Sequence, residues 1–464
     1  QEQIDFLKNR VSVLETEVKK LRDQLNLDSH NSSKPPSSDF NHRKTKSLRQ
    51  KSERNSGGQP NHPGTTLQFS ETVDHSQIHR VSHCNQCGLD LQNEAVQQTE
   101  CRQVFELPPV RMDITEHQAE IKVCPRCQSL QKASFPPGIT HPTQYGERYK
   151  AMMVYLNQYQ MLPYARVCEL LNDLTGISPS EGTLYNANQG CHSALQPWET
   201  HTLRQILQTE VVHFDESGLY EKKTRIWLHS ASTNALTFYY AHPQRGSEAM
   251  KEAGILPHFQ GIAVHDHWES YQLFERCKHA FCNVHHLREL IRAEEQDQLP
   301  WATQIKQLLL ECKKSVDDAK SQGLSQLPLP LTQDYHRRYQ TLCQEALKGY
   351  PPEHSETPSP EAKPKKRGKP KQPKAKNLLD RLIRYETETL RFLDDFRVPF
   401  DNNQAERDIR MVKVKQKISG CFRSHAGTSF FCRIRGFVSS VRKQQKNVLD
   451  SLSSLFHAVP CPID

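Results

Sequence analysis

The sequence predicts a multidomain α+β protein in which several distinct segments precede a mixed α/β core. Three observations indicate this fold class: heptad-spaced apolar residues at the start of the chain, two separated pairs of cysteines, and two short apolar strands that are each followed by an aspartate. A chain of 464 residues is too long for one ordinary hydrophobic core. We therefore expect a coiled coil, a zinc ribbon and a helical segment ahead of a core that contains a helical insertion.

The composition excludes some classes of protein. Hydrophobic residues make up 35% of the chain, and no stretch approaches the run of about 18 apolar residues that a membrane helix needs. We expect no membrane association and no secretion signal, so the fourteen cysteines are interpreted as reduced thiols and metal ligands of a cytoplasmic protein. Lys and Arg number 61 against 53 acids and lie in clusters, which favours a polyanionic partner.

Residues 1–28 are predicted to form a coiled coil because apolar residues alternate in steps of three and four. The a positions hold Ile4, Val11 and Val18, and the d positions hold Leu7, Leu14 and Leu21. β-Branched a residues with leucine at d favour parallel dimers. The alternative is an amphipathic helix that packs against the chain's own body.

Residues 29–74 are predicted to form a flexible basic linker, because they are rich in Ser, Asn, Pro, Lys and Gly and have no apolar period. Lys44 and Arg49 are its candidate phosphate contacts. A solvated tail without a partner is the alternative, since basic runs are often only solvated.

Residues 75–135 are predicted to form a zinc ribbon. Cys84 and Cys87 form one Cys-x-x-Cys pair, and Cys124 and Cys127 form the second. Four thiolates around one ion are typical of structural Zn²⁺. Alternating residues at 103–107 and 114–121 predict two strands between the pairs. Redox activity of a Cys-x-x-Cys pair is the alternative.

Residues 143–205 are predicted to be helical, with a helix–turn–helix at their centre. Gly176 suits the turn and Ser180 suits the N-cap of the second helix. That helix carries Thr183, Tyr185, Asn186 and Asn188, which are side chains able to contact bases or phosphates. A plain helical hairpin fits the pattern as well.

The predicted core begins with a three-stranded meander over about 211–240. Its first strand, 211–214, ends at Asp215, and a later apolar run, 261–265, ends at Asp266. Since adjacent strand ends are neighbours in an open sheet, these two acids are expected to share a metal ion.

A helix that opens near Asp401 offers a third acid, Glu406. Arg410, Lys413 and Lys417 follow at helical spacing, so the acid shares one face with candidate phosphate-binding cations. Three carboxylates suit two Mg²⁺ or Mn²⁺ ions, which assist in-line phosphoryl transfer. The alternative is that all three are ordinary surface acids.

The core is expected to occupy residues 208–284 and 377–445, with a C-terminal tail at 446–464. The stretch between Asp266 and Glu406 is too long for the core alone, so a helical insertion is placed at 285–376. Helices are predicted at 301–320 and 334–348, and the Pro- and Lys-rich end of the insertion is predicted to be a loop that contacts DNA.

Several motifs together resemble transposases of the insertion-sequence 66 family. They are Asn31-Ser-Ser-Lys-Pro-Pro-Ser-Ser-Asp39, Gly57-Gly-Gln-Pro60, the two cysteine pairs, His213-Phe-Asp-Glu-Ser217 and Asp401-Asn-Asn-Gln-Ala-Glu-Arg407. The resemblance covers nearly the whole chain and implies a ribonuclease-H-like core whose acid triad is Asp215, Asp266 and Glu406.

The resemblance also implies DNA as the partner, both as terminal inverted repeats and as target, and it allows for accessory proteins of the same element. The heptads predict a homodimer or higher oligomer through the coiled coil. The expected location is the cytoplasm of a prokaryote, at the nucleoid when DNA is bound. A zinc-ribbon regulator without catalysis and a stand-alone nuclease remain alternatives.

Cys282 and His285 resemble a Cys-x-x-His signature of several transposase groups with inserted cores. Two such ligands are able to bind zinc, but the sequence shows no second pair. A structural or substrate-positioning role is therefore preferred, and simple packing is the alternative.

Overall fold

The computed structural model describes residues 2–28, 30–32, 66–350 and 372–457. These residues form an α+β structure with a two-stranded and a five-stranded sheet. The chain divides into two compact units, Lys46–Ile114 and the remainder. Lys44, Arg49, most of the predicted basic linker and most of the predicted Pro- and Lys-rich loop lie outside the described residues.

The helices and strands follow one another along the chain as segments of very different length. The helices are α1 (Glu2–Leu25), α2 (Glu147–Val154), α3 (Tyr164–Thr175), α4 (Glu181–Ala194), α5 (Gln196–Gln208), α6 (Ser247–Glu252), α7 (Asn283–Glu295), α8 (Pro300–Ser321), α9 (Leu329–Lys348), α10 (Lys374–Arg384), α11 (Glu386–Asp394), α12 (Asn403–Ser419), α13 (His425–Lys443) and α14 (Val448–Phe456). The strands are β1 (Ile121–Val123), β2 (Leu130–Lys132), β3 (Val211–Glu221), β4 (Thr224–Ser232), β5 (Thr237–His242), β6 (Ile262–His265) and β7 (Lys278–Phe281). None of the described helices has the length and apolar character needed to cross a membrane.

The five-stranded sheet has the order β5-β4-β3-β6-β7. Strands β3, β4 and β5 form an antiparallel meander, as predicted, whereas β6 and β7 run parallel to β3. Strand β3 is longer than predicted, because it pairs with β4 along its whole length up to Glu221. Asp215 therefore lies within a strand, and the prediction that the strand ends there was wrong.

Both faces of the five-stranded sheet are covered by apolar side chains. On one face, Val212 and Phe214 of β3 belong to a cluster with Ile206 of α5 and Phe259. Leu219 of the same strand belongs to a second cluster that includes residues of α12 and α13. The sheet is thus a buried layer between helices, which fixes the strand that carries Asp215.

Helices α7 to α11 share one hydrophobic core, which also contains Ile262 and Val264 of β6. The predicted helices at 301–320 and 334–348 correspond to α8 and α9, although α9 begins earlier, at Leu329. This helical layer joins the sheet to the start of α12, where Glu406 lies.

The helical segment before the core contains the predicted turn. Helix α3 ends at Gly176, whose left-handed φ of 71° suits glycine. Ser180 caps α4 by accepting a hydrogen bond from the backbone nitrogen of Thr183 at 3.0 Å. Asn188, however, is fully buried and hydrogen-bonded to Asn157. The prediction that Asn188 is able to contact DNA was therefore wrong, while Asn186 is exposed.

Each cysteine pair lies in a tight turn flanked by extended residues. In the smaller unit, the bridge between His83 and Asp90 encloses Cys84 and Cys87. In the larger unit, β1 and β2 enclose Cys124 and Cys127. The predicted strands at 103–107 and 114–121 were wrong, because only Ile121 belongs to a strand. The large apolar side chains of both segments are exposed, so the alternating residues have no hydrophobic core to pack against.

Candidate active site

Asp215 and Asp266 lie at the same level of two neighbouring parallel strands. The register pairs His213 of β3 with Val264 of β6, and each aspartate follows two residues later. Strand β6 ends at His265, so Asp266 is the first polar side chain beyond it. The sheet therefore places the two carboxylates side by side where the parallel pairing stops.

Glu406 lies in the first turn of α12, and Asn402 holds this helix against β3. The amide nitrogen of Asn402 donates to the carbonyl of Phe214 at 2.7 Å, and its oxygen accepts from Nδ1 of His213 at 2.8 Å. Asn402 does not cap the helix with its side chain, contrary to the usual use of asparagine there. It instead joins the helix to the residues directly before Asp215.

The three predicted acids lie near enough to one another to interact electrostatically. Burial raises this pKa well above its usual value, and the negative charges of Glu216, Asp266 and Glu406 raise it further. Asp215 and Asp266 each accept one backbone hydrogen bond, from Glu216 at 2.9 Å and from Trp268 at 2.9 Å. One oxygen of Glu406 is buried and has no hydrogen-bond partner among the described residues.

Such a group of carboxylates fits divalent metal ions. Like charges brought together without a cation repel each other, and hard oxygen ligands are the ones that Mg²⁺ and Mn²⁺ prefer. Asp215 and Asp266 each have an oxygen without a backbone bond, and the unpartnered oxygen of Glu406 is buried beside them. The residues therefore match the donor set that the sequence predicts for these ions.

A fourth acid, Glu216, was missed by the sequence reasoning. It is almost fully buried, its Oε1 accepts from Nε of Arg245 at 3.0 Å, and its Oε2 accepts from the hydroxyl of Tyr271. Burial and the charge of Asp266 raise its pKa, which the bonds from Tyr271 and Arg245 oppose. Because both oxygens are engaged, Glu216 supports the site rather than offering a free ligand.

Arg245 joins Glu216 to an aromatic surface. Its guanidinium lies 4.1 Å from the ring centre of Trp268 and 4.9 Å from that of Trp227. Both distances are typical of cation–π contacts. Trp268 follows Asp266 closely in the chain, but the partner Arg245 comes from the loop after β5. The sequence does not predict the contact between Arg245 and Trp268, since no periodic pattern connects these two positions.

Asp408, two residues after Glu406, has a different role. Its Oδ2 accepts from Nζ of Lys443 at 2.6 Å and from the hydroxyl of Thr237 at 3.2 Å. The pair with Lys443 is largely buried. Asp408 is thus a structural partner of α13 and the sheet, which leaves Glu406 as the acid of α12 that faces Asp215.

The predicted cations of α12 are in different situations. Arg410 and Lys417 are exposed to solvent. Lys413 donates a hydrogen bond to the carbonyl of Gly218 in β3, and burial and the charge of Arg225 lower its pKa. Contacts of all three with DNA remain predictions.

Cys282 and His285 lie at the start of α7, directly beside Glu406. Their ligand atoms and a carboxylate oxygen of Glu406 all lie within 4.8 Å of one another. The backbone nitrogen of Asn402 donates to Sγ of Cys282 at 3.2 Å. A structural or substrate-positioning role for this pair stays a prediction, and its neighbour is Glu406, the third acid of the predicted triad.

The four cysteines of the predicted zinc ribbon belong to two different compact units, so their common site stays a prediction. Each pair alone has features that suit a metal. Hydrogen bonds from the backbone of Cys87 lower the pKa of Cys84, and those from Ser129 lower that of Cys127. A lower thiol pKa favours the thiolate that metals bind.

Two known families match this chain. The model of a family described as "Transposase IS66 family" matches residues 142–429, which include the whole five-stranded sheet and all three acids. A family of unknown function (DUF6444) matches residues 1–68. No curated protein sequence matches the chain significantly.

Proposed function

The chain belongs to the IS66 family of transposases, and from that premise we propose that it is a DDE-type enzyme that cuts and joins DNA with Asp215, Asp266 and Glu406. Its substrates are the terminal inverted repeats of its own insertion sequence and a target DNA. The observation that carries the proposal is the parallel register of β3 and β6, which brings Asp266 beside Asp215. Burial and the charge of Glu216 raise the pKa of Asp215, and the charges of Asp266 and Glu406 raise it further, so Glu406 lies near enough to act on it.

The architecture supports a ribonuclease-H-like core. An antiparallel meander is extended by two parallel strands in the order β5-β4-β3-β6-β7. Asp215 lies on the central strand β3, Asp266 directly follows the neighbouring strand β6, and the third acid lies on a helix packed against β3 and β4. Helices α8 and α9 lie within the insertion proposed at 285–376. The α+β layers thus bring together acids that are far apart in the sequence.

Two divalent ions, Mg²⁺ or Mn²⁺, held by the three carboxylates supply charge stabilisation for in-line phosphoryl transfer when bound. The residues of the chain orient this arrangement. Asn402 fixes the first turn of α12 against β3, and both oxygens of Glu216 are engaged by Arg245 and Tyr271. Water then attacks a phosphodiester, and the bond to the 3′ oxygen breaks to leave a 3′ hydroxyl.

The second step uses the same acids. The 3′ hydroxyl attacks a phosphodiester of target DNA, the new phosphorus–oxygen bond forms, and the bond to the target's own 3′ oxygen breaks. The leaving oxygen takes up a proton. No side-chain nucleophile is needed, because both steps are direct displacements at phosphorus.

DNA binding is proposed to involve several segments. Arg410 and Lys417 extend from α12 into solvent, and α3 and α4 form the helix–turn–helix of the segment before the core. A zinc ribbon at Cys84, Cys87, Cys124 and Cys127 and the basic linker with Lys44 and Arg49 add contacts to the repeats. Lysines and arginines that neutralise phosphates make such binding strongly dependent on salt.

The test is an assay with linear DNA that carries both ends of the element, a target plasmid and Mg²⁺ or Mn²⁺. A transposase releases 3′ hydroxyls at the element ends and joins them to the target. Cleavage without joining indicates a stand-alone nuclease of the same fold. Binding to the repeats without cleavage indicates a regulator, and either result overturns the proposal.

A further inference from the structure

A compact group of three side chains lies beside the carboxylate site. Cys282 and His285 come from the start of α7, and Glu406 comes from the first turn of α12. Their ligand atoms all lie within 4.8 Å of one another, so the three side chains are able to hold one metal ion. These residues are far apart in the chain, so the fold alone creates the group.

The backbone holds the two helix starts together. The nitrogen of Cys282 donates to the carbonyl of His265 at 2.9 Å, and the nitrogen of Asn283 donates to the carbonyl of Phe400 at 3.0 Å. The bond from Asn402 to Sγ of Cys282 closes the contact. The group is therefore fixed by hydrogen bonds on both helices, as a preorganised site requires.

Two atoms of this group are buried without a partner. Oε1 of Glu406 and Nδ1 of His285 have no hydrogen bond to any described residue. Buried polar atoms are nearly always satisfied, so each such atom calls for an explanation. One ion that lies between the two helix starts explains both atoms at once, because each offers a lone pair.

We propose that Cys282, His285 and Glu406 bind a transition-metal ion of the zinc class. A thiolate, an imidazole and a carboxylate are the ligands that Zn²⁺ and Co²⁺ take, whereas Mg²⁺ takes oxygen. Three protein ligands leave a fourth position for water. This site has no residue in common with the proposed zinc ribbon. It adjoins the proposed Mg²⁺ site, and Glu406 is a ligand of both.

Metal binding at this group releases one proton. The sulfur–hydrogen bond of Cys282 breaks, a sulfur–metal bond forms, and the proton goes to the buffer.

Sharing of Glu406 has a functional consequence, which rests on the proposed function. An ion bound to Cys282 and His285 withdraws a carboxylate from Asp215 and Asp266. Zn²⁺ is thus expected to inhibit cleavage that Mg²⁺ supports. Binding of Zn²⁺ to this group would thus couple the rate of DNA cleavage to the Zn²⁺ concentration in the cell.

The test is titration of the full-length protein with Co²⁺, followed by the absorption of thiolate-to-cobalt charge transfer. Cys282→Ser is compared with Cys277→Ser, which changes another buried cysteine of the same region. We expect Cys282→Ser to bind one Co²⁺ fewer than the wild type and Cys277→Ser to bind the same number. Since Co²⁺ also binds at the cysteine pairs, the difference between the variants is the measured quantity.

His285→Gln is the second variant, because it keeps the thiol and is less able to disturb folding. It is expected to lower the affinity of this site for Co²⁺ by more than about tenfold. Mutation of a residue that only hydrogen-bonds to a metal ligand already lowers metal affinity by about that factor. If Cys282→Ser is unfolded by circular dichroism, His285→Gln decides. Equal Co²⁺ binding by wild type and folded variants overturns the site.

A second arm measures cleavage with Mg²⁺ and increasing Zn²⁺, as a fraction of each protein's own activity. Zn²⁺ is expected to inhibit the wild type at lower concentration than Cys282→Ser. Equal inhibition shows that Glu406 is not shared. If the wild type never cleaves DNA, the proposed function fails, while the Co²⁺ titration still decides the metal site.

Discussion

The side-chain oxygen of Asn402 accepts a hydrogen bond from Nδ1 of His213 at 2.8 Å, which joins the start of helix α12 to the strand that carries Asp215. The same side chain donates to the carbonyl of Phe214. Glu406 lies one helical turn after Asn402, and its backbone nitrogen donates to the carbonyl of Asn402 at 3.2 Å. Asn402 thus helps to fix the position of Glu406, the third acid of the predicted triad.

Replacement of Asn402 by alanine should therefore reduce both stability and cleavage. Two buried hydrogen bonds are lost and His213 is left without its partner, which costs about 1–3 kcal/mol of unfolding free energy. Denaturant unfolding and cleavage rates measure the two effects. Asn403→Ala, at an exposed neighbouring position, is the matched control. Wild-type cleavage by Asn402→Ala would contradict the positioning role.

Replacement of the acids by amides should abolish cleavage and leave DNA binding nearly unchanged. Asp215→Asn, Asp266→Asn and Glu406→Gln each remove a metal ligand rather than a phosphate contact. Gel shifts and cleavage assays on the same preparations separate the two properties. Cleavage by all three variants would show that the core assignment is wrong.

Asp408→Asn is the control for the acid of α12. Its carboxylate pairs with Lys443 and not with the acid group. Removal of one partner of a largely buried pair should cost a few kcal/mol of unfolding free energy. The folded fraction should still bind Mg²⁺ like the wild type. Loss of Mg²⁺ affinity in this variant, with Glu406→Gln unaffected, would move the third ligand to Asp408.

Much of this arrangement follows from local sequence patterns, and the rest does not. Apolar runs that end near Asp215 and Asp266 predict neighbouring strands, and the structure contains both strands in parallel register. The contacts of Glu216 with Arg245 and of Cys282 with Glu406 join residues that are far apart in the sequence. The periodicity of apolar residues therefore does not predict them. The strand prediction at 103–107 failed because alternation specifies a strand only where one face is buried.

The metal-free protein should become more stable when Asp215 loses its charge. The pKa of Asp215 is raised in the folded state, so the folded state binds more protons than the unfolded state once pH exceeds the usual carboxyl value of about 4. Folding stability therefore falls as pH rises from there toward the raised pKa, and the penalty persists above it. Asp215→Asn removes this penalty and should raise the unfolding temperature at neutral pH by a few degrees.

Thermal unfolding in chelator at several pH values tests this expectation. The difference between Asp215→Asn and wild type should grow with pH, and added Mg²⁺ should stabilise the wild type but not Asp215→Asn. Asp173→Asn, which changes an exposed acid of α3, should match the wild type at each pH and should be stabilised by Mg²⁺ as the wild type is. A less stable Asp215→Asn protein at neutral pH would mean that the acid group is not electrostatically strained.

Purified protein should contain one tightly bound zinc ion at Cys84, Cys87, Cys124 and Cys127. Four thiolates hold Zn²⁺ firmly, and a ribbon with so few buried apolar residues depends on its metal for folding. Elemental analysis should show one zinc fewer in Cys84→Ser than in wild type. Cys101→Ser, at another exposed cysteine, should retain the metal. Equal zinc contents in both variants would rule out the ribbon site.

Helix α1 should pair two chains through its heptad face. Its d residues Leu7, Leu14 and Leu21 remain 58%, 48% and 54% exposed within one chain, although an isolated helix gains little stability without a partner for such a face. A dimer covers these leucines and links two catalytic cores, one for each end of the element. Linking raises the effective concentration of the second core at the second end without any new DNA contact.

Leu14→Lys together with Leu21→Lys would bury unpaired ammonium groups in the seam, at a cost of several kcal/mol. Light scattering on the full-length protein should therefore show a dimer for the wild type and a monomer for this double variant. Asn9→Lys together with Thr16→Lys adds the same charge on the opposite side of α1 and should leave the dimer intact. A monomeric wild type would instead assign the heptad face to packing within the chain.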